Sequence, residues 1–299
     1  MQAMYRRPGH ARVVFALTLM LAGSAALAQD SGRGSSGKLL LTGGVSQVEG
    51  AAGGGLTPWA VIGGYGTRDQ FGANAFYTRV DTGDYAMDSQ GVLLGLFDRV
   101  EVSLSRQKFD TRQIGAALGL GRGFTFTQDT LGLKLRLFGD AVLEQDSWVP
   151  QVAVGVQRKR NDQPAVLAFV GAQSHRGSDF YVSATKLYLA QSLLLNGTVR
   201  FTKANQFGIL GFGGDRRNGY RPQFEGSAAW LLNRHLAIGA EYRMKPDNLG
   251  IAREDDAWDA FVAWAPNKHL SLTLAYVDLG NIVIADNQRG WYASLQVGF

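Results

Sequence analysis

The chain has 299 residues with 39 Gly, 7 Pro and no Cys, and 45% of its side chains are hydrophobic and 11% aromatic. Glycine at this level without a Gly-X-Y period excludes collagen, and a mean hydropathy of −0.07 excludes a polytopic helical membrane protein. The absence of cysteine removes disulfide scaffolds, thiolate zinc sites, iron–sulfur clusters and lipidated cysteines together, and no cofactor is expected.

Residues 1–28 read as a secretory signal peptide. Arg6, Arg7 and Arg12 precede an apolar run from Val13 to Leu21, and small residues lead to Ala26-Leu27-Ala28, an Ala-x-Ala cleavage site. The apolar run is too short for a permanent anchor. Cleavage removes three Arg, taking 30 Lys plus Arg to 27 against 25 Asp plus Glu. The net charge of +5 therefore largely vanishes, and with it any argument for nucleic acid as a partner.

From 29 to 299 the chain reads as one domain of short two-faced strands, expected near 39–48, 57–66, 70–80, 90–97, 100–108, 128–138, 148–159, 179–188, 193–204, 221–231, 236–245, 257–264, 270–277 and 290–299. In the clearest, Leu131, Leu133, Leu135 and Leu137 share one face, and Lys134 and Arg136 the other. Leu270, Leu272, Leu274 and Tyr276 oppose Ser271, Thr273 and Ala275 in the same way. Period-two alternation suits either a soluble sheet with its apolar face inward or a membrane barrel with that face turned to lipid.

Connection lengths separate the two. Short gaps at 67–69, 98–99, 139–147, 189–192, 232–235 and 265–269 alternate with long ones at 49–56, 81–89, 109–127, 160–178, 205–220, 246–256 and 278–289. Brief turns at one end and extended loops at the other are the pattern of an outer-membrane barrel. Tryptophan favours the membrane–water boundary. On this strand map Trp59, Trp258 and Trp291 fall at the long-loop end, and Trp148, Trp230 and Trp264 at the short-turn end. The last residue, Phe299, ends an alternating strand like the terminal signature read by the barrel assembly machinery.

The expected architecture is thus all-β: a transmembrane antiparallel up-and-down barrel of about 14 strands. Twelve result if 39–48, which holds Gly43 and Gly44 and alternates poorly, tucks into the lumen instead. Arg106 and Lys186 break the apolar faces of their strands, implying snorkelling at a rim or a shifted register.

By parity the lumen-facing charges are Glu101, Lys134, Arg136, Lys159, Arg200, Glu225, Glu241, Arg243 and Asp259. Opposed charges lining a pore select polar solutes, so the leading expectation is a passive, porin-like channel for small solutes in the outer membrane. Its partners would be the lipid bilayer, lipopolysaccharide and the barrel assembly machinery. A non-conducting structural or surface-interaction barrel is the alternative, and a lipid-modifying barrel enzyme a third. For catalysis only Ser174 beside His175 suggests a nucleophile and base, and neighbours on an extended loop point apart, so no catalytic residue is expected. Asp81, Asp84 and Asp88, or Glu254, Asp255 and Asp256, offer oxygen ligands to Ca²⁺ but follow no calcium-loop template, and no metal is expected. Gly53-Gly54-Gly55 and Gly119-Leu120-Gly121-Arg122-Gly123 lack the Lys-Ser/Thr of a phosphate loop. They read as turns or as backbone lying close against the lumen wall.

Three stretches also carry a family resemblance: Thr42-Gly43-Gly44-Val45-Ser46-Gln47-Val48-Glu49-Gly50 running on to Gly53-Gly54-Gly55-Leu56-Thr57-Pro58-Trp59, then Leu210-Gly211-Phe212-Gly213-Gly214-Asp215-Arg216, then Ala252-Arg253-Glu254-Asp255-Asp256-Ala257-Trp258-Asp259. They resemble a proteobacterial family known as domain of unknown function 3034, over essentially the whole mature chain. The resemblance implies an exported outer-membrane-type barrel and carries over no functional residue.

Overall fold

The computed structural model describes residues 37–299; the expected signal segment, residues 1–28, lies outside them. Two very short strands, β1 (Val45–Ser46) and β2 (Ala52–Gly53), pair with each other and not with the strands that follow. Twelve further strands follow: β3 (Phe71–Asp81), β4 (Ala86–Leu96), β5 (Val100–Asp110), β6 (Thr125–Phe138), β7 (Gln151–Asn161), β8 (Arg176–Tyr188), β9 (Leu193–Thr202), β10 (Arg221–Asn233), β11 (Leu236–Arg243), β12 (Ala257–Asn267), β13 (Leu270–Asp278) and β14 (Arg289–Gly298). Each pairs antiparallel with its neighbour in sequence. Pairing of β14 with β3, from Trp291 opposite Asp81 to Gly298 opposite Asn74, closes the barrel.

The barrel is inside-out relative to a soluble protein. Leu104, Leu131, Leu133, Phe180, Val182, Leu195, Phe224, Val262, Leu274 and Leu295 are exposed on its outer face. Alternate positions carry Gln128, Thr130, Lys134, Gln157, Ser183, Asn196, Thr198 and Ser294 to a buried interior. An apolar exterior on a closed sheet is what hydrocarbon solvates, because closure leaves no backbone group unpaired in lipid.

The strand count is twelve, the lower of the two expected values. The segments expected as strands at 39–48 and 57–66 both leave the wall and run inside the barrel, where residues 46–62 are buried throughout. Local chemistry explains this: Pro58 has no N–H for a ladder, and Gly43, Gly44, Gly63 and Gly64 give up the side chains that a lipid-facing strand needs. We call residues 42–64 the plug. It enters and leaves at the short-turn end, where Lys38 pairs with Asp98 at 2.7 Å and the Tyr65 N–H donates to the Phe299 carbonyl at 3.1 Å.

Loop lengths follow parity with one exception at each end. The connection expected at 81–89 is a tight turn, because β3 and β4 run further than their alternation suggests. At the opposite end the connection after β6 is extended and packs against the end of β8, where the Leu187 N–H donates to the Ala141 carbonyl at 2.7 Å. That packing accounts for Lys186, which neither snorkels nor shifts the register. Its ammonium is buried against the carbonyls of Asp140 at 3.2 Å, Glu144 and Val149 at 3.3 Å. Arg106 stays on the outer face and pairs with Asp129, its register partner, at 2.6 Å.

Five of the six Trp are exposed near strand ends or in a turn: Trp258 and Trp291 at the long-loop end, Trp148, Trp230 and Trp264 at the other. Tyr276 bridges the first two, with ring centroids 6.2 Å from Trp258 and 5.6 Å from Trp291. Trp59 does not belong with them. It is buried in the plug and donates to Ser227 Oγ at 2.9 Å, because its supposed strand is not part of the wall.

The long loops fold inward over their mouth. Helices α1 (Arg112–Ala117) and α2 (Pro164–Phe169) lie in two of them. Tyr85, Phe109, Phe126, Leu167, Ile209, Leu210, Leu249 and Ile282 form an apolar cluster there. An outer-face charge should disrupt this architecture where an inner one does not. Leu131→Arg is expected to lower unfolding free energy in lipid vesicles by roughly 2–4 kcal/mol, measured by urea titration.

Candidate functional site

All nine charges assigned to the lumen by parity lie buried on the inner side of the barrel. Seven of them form three groups, each touched by the plug or by its root at Lys38, and Glu241 with Asp259 makes a fourth. Near the short-turn end, Arg136 pairs with Asp98 and, at 3.2 Å, with Asp140, and its Nε donates to the Gly139 carbonyl at 3.0 Å. It fastens two turns across the rim. Lys38 shares Asp98, tying the root of the plug to the same rim.

Glu101 and Lys134, register partners on β5 and β6, form the second group at 3.1 Å. Neither group is left facing an empty lumen. Glu101 accepts from the backbone N–H of Ala52 at 3.0 Å and of Gly63 at 2.9 Å, while Lys134 donates to the carbonyls of Ala52 and Val61, both at 2.9 Å. An ion pair of the wall thus satisfies the peptide groups of a chain segment that has little regular structure of its own, as buried backbone requires.

The third group lies deepest. Lys159 pairs with Asp179 at 2.6 Å and with Glu49 of the plug. Arg200 pairs with Glu225, and Arg243 reaches Glu225 at 3.2 Å and Glu49 at 2.9 Å. The wall alone supplies three cations and two anions here; the carboxylate of Glu49 makes the balance. Burial pushes the Glu49 carboxyl up, but Arg243, Lys159 and Arg200 outweigh it and hold its pKa at about 2, against 4.5 for a free glutamate. Arg200 also bonds Gln157 at 2.6 Å and lies over the Tyr181 ring at 5.2 Å.

From the opposite mouth, the loop after β9 meets the tip of the plug at this cluster. Phe207 covers the Arg243 guanidinium at 4.1 Å and its carbonyl accepts from Lys159 at 3.1 Å. Gln206 and Phe207 hold left-handed backbone, with φ of 44° and 60°, a conformation that costs energy in a non-glycine residue and is retained where surroundings fix it. Gln206 is fixed by Lys245 at 2.8 Å and by the Asn281 carbonyl at 3.0 Å.

Glu241 and Asp259, opposite each other on β11 and β12, face the plug just below. Glu241 accepts from the Leu56 N–H at 2.7 Å and from the hydroxyls of Thr57 at 2.5 Å and Ser227 at 2.9 Å. At the neighbouring Gly54 a Cβ would sit 2.0 Å from Glu241 Oε1, so any side chain there would displace that carboxylate. Gly54 and Gly55 thus lie close against the wall, at Glu241 and Tyr292, while Gly53 packs on Thr57 and Pro58 of the plug itself. Two apolar cavities border the plug, of about 30 Å³ beside Trp59 and about 40 Å³ beneath Phe207. Each holds a water or two at most.

Sequence reading missed Lys38, Asp98 and Asp140 at the rim, and Glu49, Asp179 and Lys245 deeper in. Asp179 falls at the first residue of its expected strand, and period two from Tyr181 and Ser183 points it inward. Lys245 alternates with Arg243 and Glu241. Glu49 carries no such signal, since it sits in what reads as a loop.

The acids considered for calcium do not converge. Asp81 pairs with Arg112 and Asp88 with Arg79 at 2.8 Å, while Glu254 pairs with Lys245 at 3.3 Å. Ser174 Oγ donates to the Arg176 carbonyl at 2.8 Å, turned to its own backbone.

Two outcomes test the role of Glu49. Removing one partner of a buried ion pair costs about 3–5 kcal/mol, so Glu49→Gln should destabilise the protein on that scale. Because the folded pKa of about 2 lies below 4.5, the contribution is fully present above pH 4.5 and lost as pH falls towards 2. Thermal melts of wild type and Glu49→Gln should therefore differ most at neutral pH and converge in acid.

Solved structures share the barrel loosely. The KdgM porin overlaps with a TM-score of 0.47 at 8% identity, over 76% of this chain and 99% of its own. The NanC porin overlaps with 0.47 at 10%, over 77% and 98%. Outer membrane phospholipase A from Escherichia coli gives 0.41 at 10%, over 76% and 92%. Likeness at this level says nothing about activity. Among curated proteins no sequence matches this chain. A family model described as "Protein of unknown function (DUF3034)" matches residues 42–296, plug and barrel together, and the chain belongs to that family.

Proposed function

We propose that this protein is an outer-membrane channel for small polar solutes, closed in the state described by the plug and opened when the plug moves. The observation that carries the reading is how the plug is held. Its strands do not pair with the barrel, and it meets the wall through side-chain hydrogen bonds and ion pairs rather than through ladder bonds. Such contacts exchange for water and solute without breaking the barrel, and the wall they leave behind is polar and charged. Twelve strands also enclose more than the eight-stranded barrels that side chains alone fill.

Export through cleavage after Ala28, recognition of the strand ending at Phe299 by the barrel assembly machinery, and contact with lipopolysaccharide complete the reading. No catalytic role is assigned: Ser174 and His175, neighbours in sequence, lie outside the lumen groups, and the serine hydroxyl is engaged by backbone.

The chain has no cysteine, so a single disulfide can lock the plug. Thr57 Oγ1 and Ser227 Oγ lie 2.5 Å apart. In planar bilayers wild type is expected to show intermittent conductance steps. Thr57→Cys with Ser227→Cys should abolish them when oxidised and restore them on reduction. Wild type without any steps would establish instead a non-conducting structural barrel, the reading that the filled lumen favours. Steps that persist through the oxidised lock would show that the plug is not the gate.

A further inference from the structure

We propose that the Lys159, Arg200 and Arg243 cluster is a binding site for the carboxylate of a transported solute, and that Glu49 occupies it as an internal stand-in. The inference rests on the channel reading and adds the class of solute: small carboxylic acids that also carry hydroxyl groups.

The cluster is built for one more anion than the wall supplies. Lys159, Arg200 and Arg243 meet only Asp179 and Glu225 from the strands. The third carboxylate belongs to the plug, fully buried, with Lys159 Nζ on one oxygen and Arg243 Nη2 on the other at 2.9 Å. When the plug withdraws, an uncompensated buried charge remains, and its cost is relieved by any carboxylate that takes the place of Glu49.

The same stretch of plug identifies the rest of the ligand. The other arm of Arg243 donates to the Leu56 carbonyl at 3.0 Å, and the Leu56 N–H and Thr57 hydroxyl donate to Glu241. Next to the cationic site the wall therefore offers carboxylate acceptors to donor groups. Asp259 lies opposite Glu241, and its Oδ1 has no hydrogen-bond partner. A solute with a carboxylate at one end and hydroxyls beyond it satisfies both. An uncharged polyol leaves the cations unpaired, and a simple carboxylate leaves the acceptors unpaired.

Two measurements on the full chain test the proposal. Glu49→Ala removes the equivalent of an acetate ion. Its lowered melting temperature should be largely recovered by sodium acetate and not by sodium chloride at equal ionic strength, and adding Arg243→Gln should abolish the recovery. In liposome swelling, wild type should admit gluconate several-fold faster than the similarly sized sorbitol, and Arg243→Gln should erase the difference. Absence of acetate rescue, or gluconate and sorbitol entering equally fast, would overturn the proposal while a swelling response to both leaves the channel reading standing. Acetate rescue with no solute entering at all would overturn the channel reading and leave a carboxylate site in a closed barrel.

Discussion

A bilayer offers no hydrogen bonds, and the rest of this structure follows from that constraint. Twelve strands pair in sequence and close through β14 and β3, so every ladder group has a partner and only side chains face hydrocarbon. Closure at this circumference creates an interior too wide for side chains from the wall to fill alone. What the outer face solves with leucine and phenylalanine, the inner face must solve with something polar enough to match lysine, arginine and glutamate. The plug is that something.

The plug has little secondary structure, and its stability is borrowed. Peptide groups at Ala52, Leu56, Val61 and Gly63 are met by Glu101, Lys134, Arg243 and Glu241 of the wall, beside a few bonds within the plug such as that from the Trp59 N–H to the Ala52 carbonyl at 3.1 Å. This inverts the usual relation in which backbone ladders fix the positions of side chains. It also makes the wall charges unsatisfied whenever the plug is absent, so the same residues that hold the plug are those a passing solute would meet. Closure and recognition are two uses of one set of charges.

Closure is also two-sided. The plug rises from the short-turn end to place Glu49 against Lys159 and Arg243, and Phe207 descends from the long-loop end to cover the same guanidinium. Each occupies the surface the other leaves open. The left-handed backbone at Gln206 and Phe207 marks where the loop is bent to reach that point, and Lys245 and Glu254, a buried pair within the mouth, brace it. Burial pushes Glu254 up and Lys245 down, while their mutual attraction opposes both shifts.

The amino-acid sequence by itself determined the wall. Alternation in stretches such as Leu131 to Leu137 fixes which residues face lipid, since period two leaves no other choice, and parity alone carried nine charges to the interior. The alternation of brief and extended connections fixed which end holds the turns. It could not place residues 42–64, because Gly-rich chain with neither period two nor period 3.6 has no face to read, and its position depends on partners far away in sequence. For the same reason Trp59 looked like a boundary residue and Glu49 like a loop acid. Only the tertiary structure decided that one lies against Ser227 and the other among three cations, because what selects those positions is the uncompensated charge and the unfilled volume of a closed barrel, and neither exists until the last strand pairs with the first.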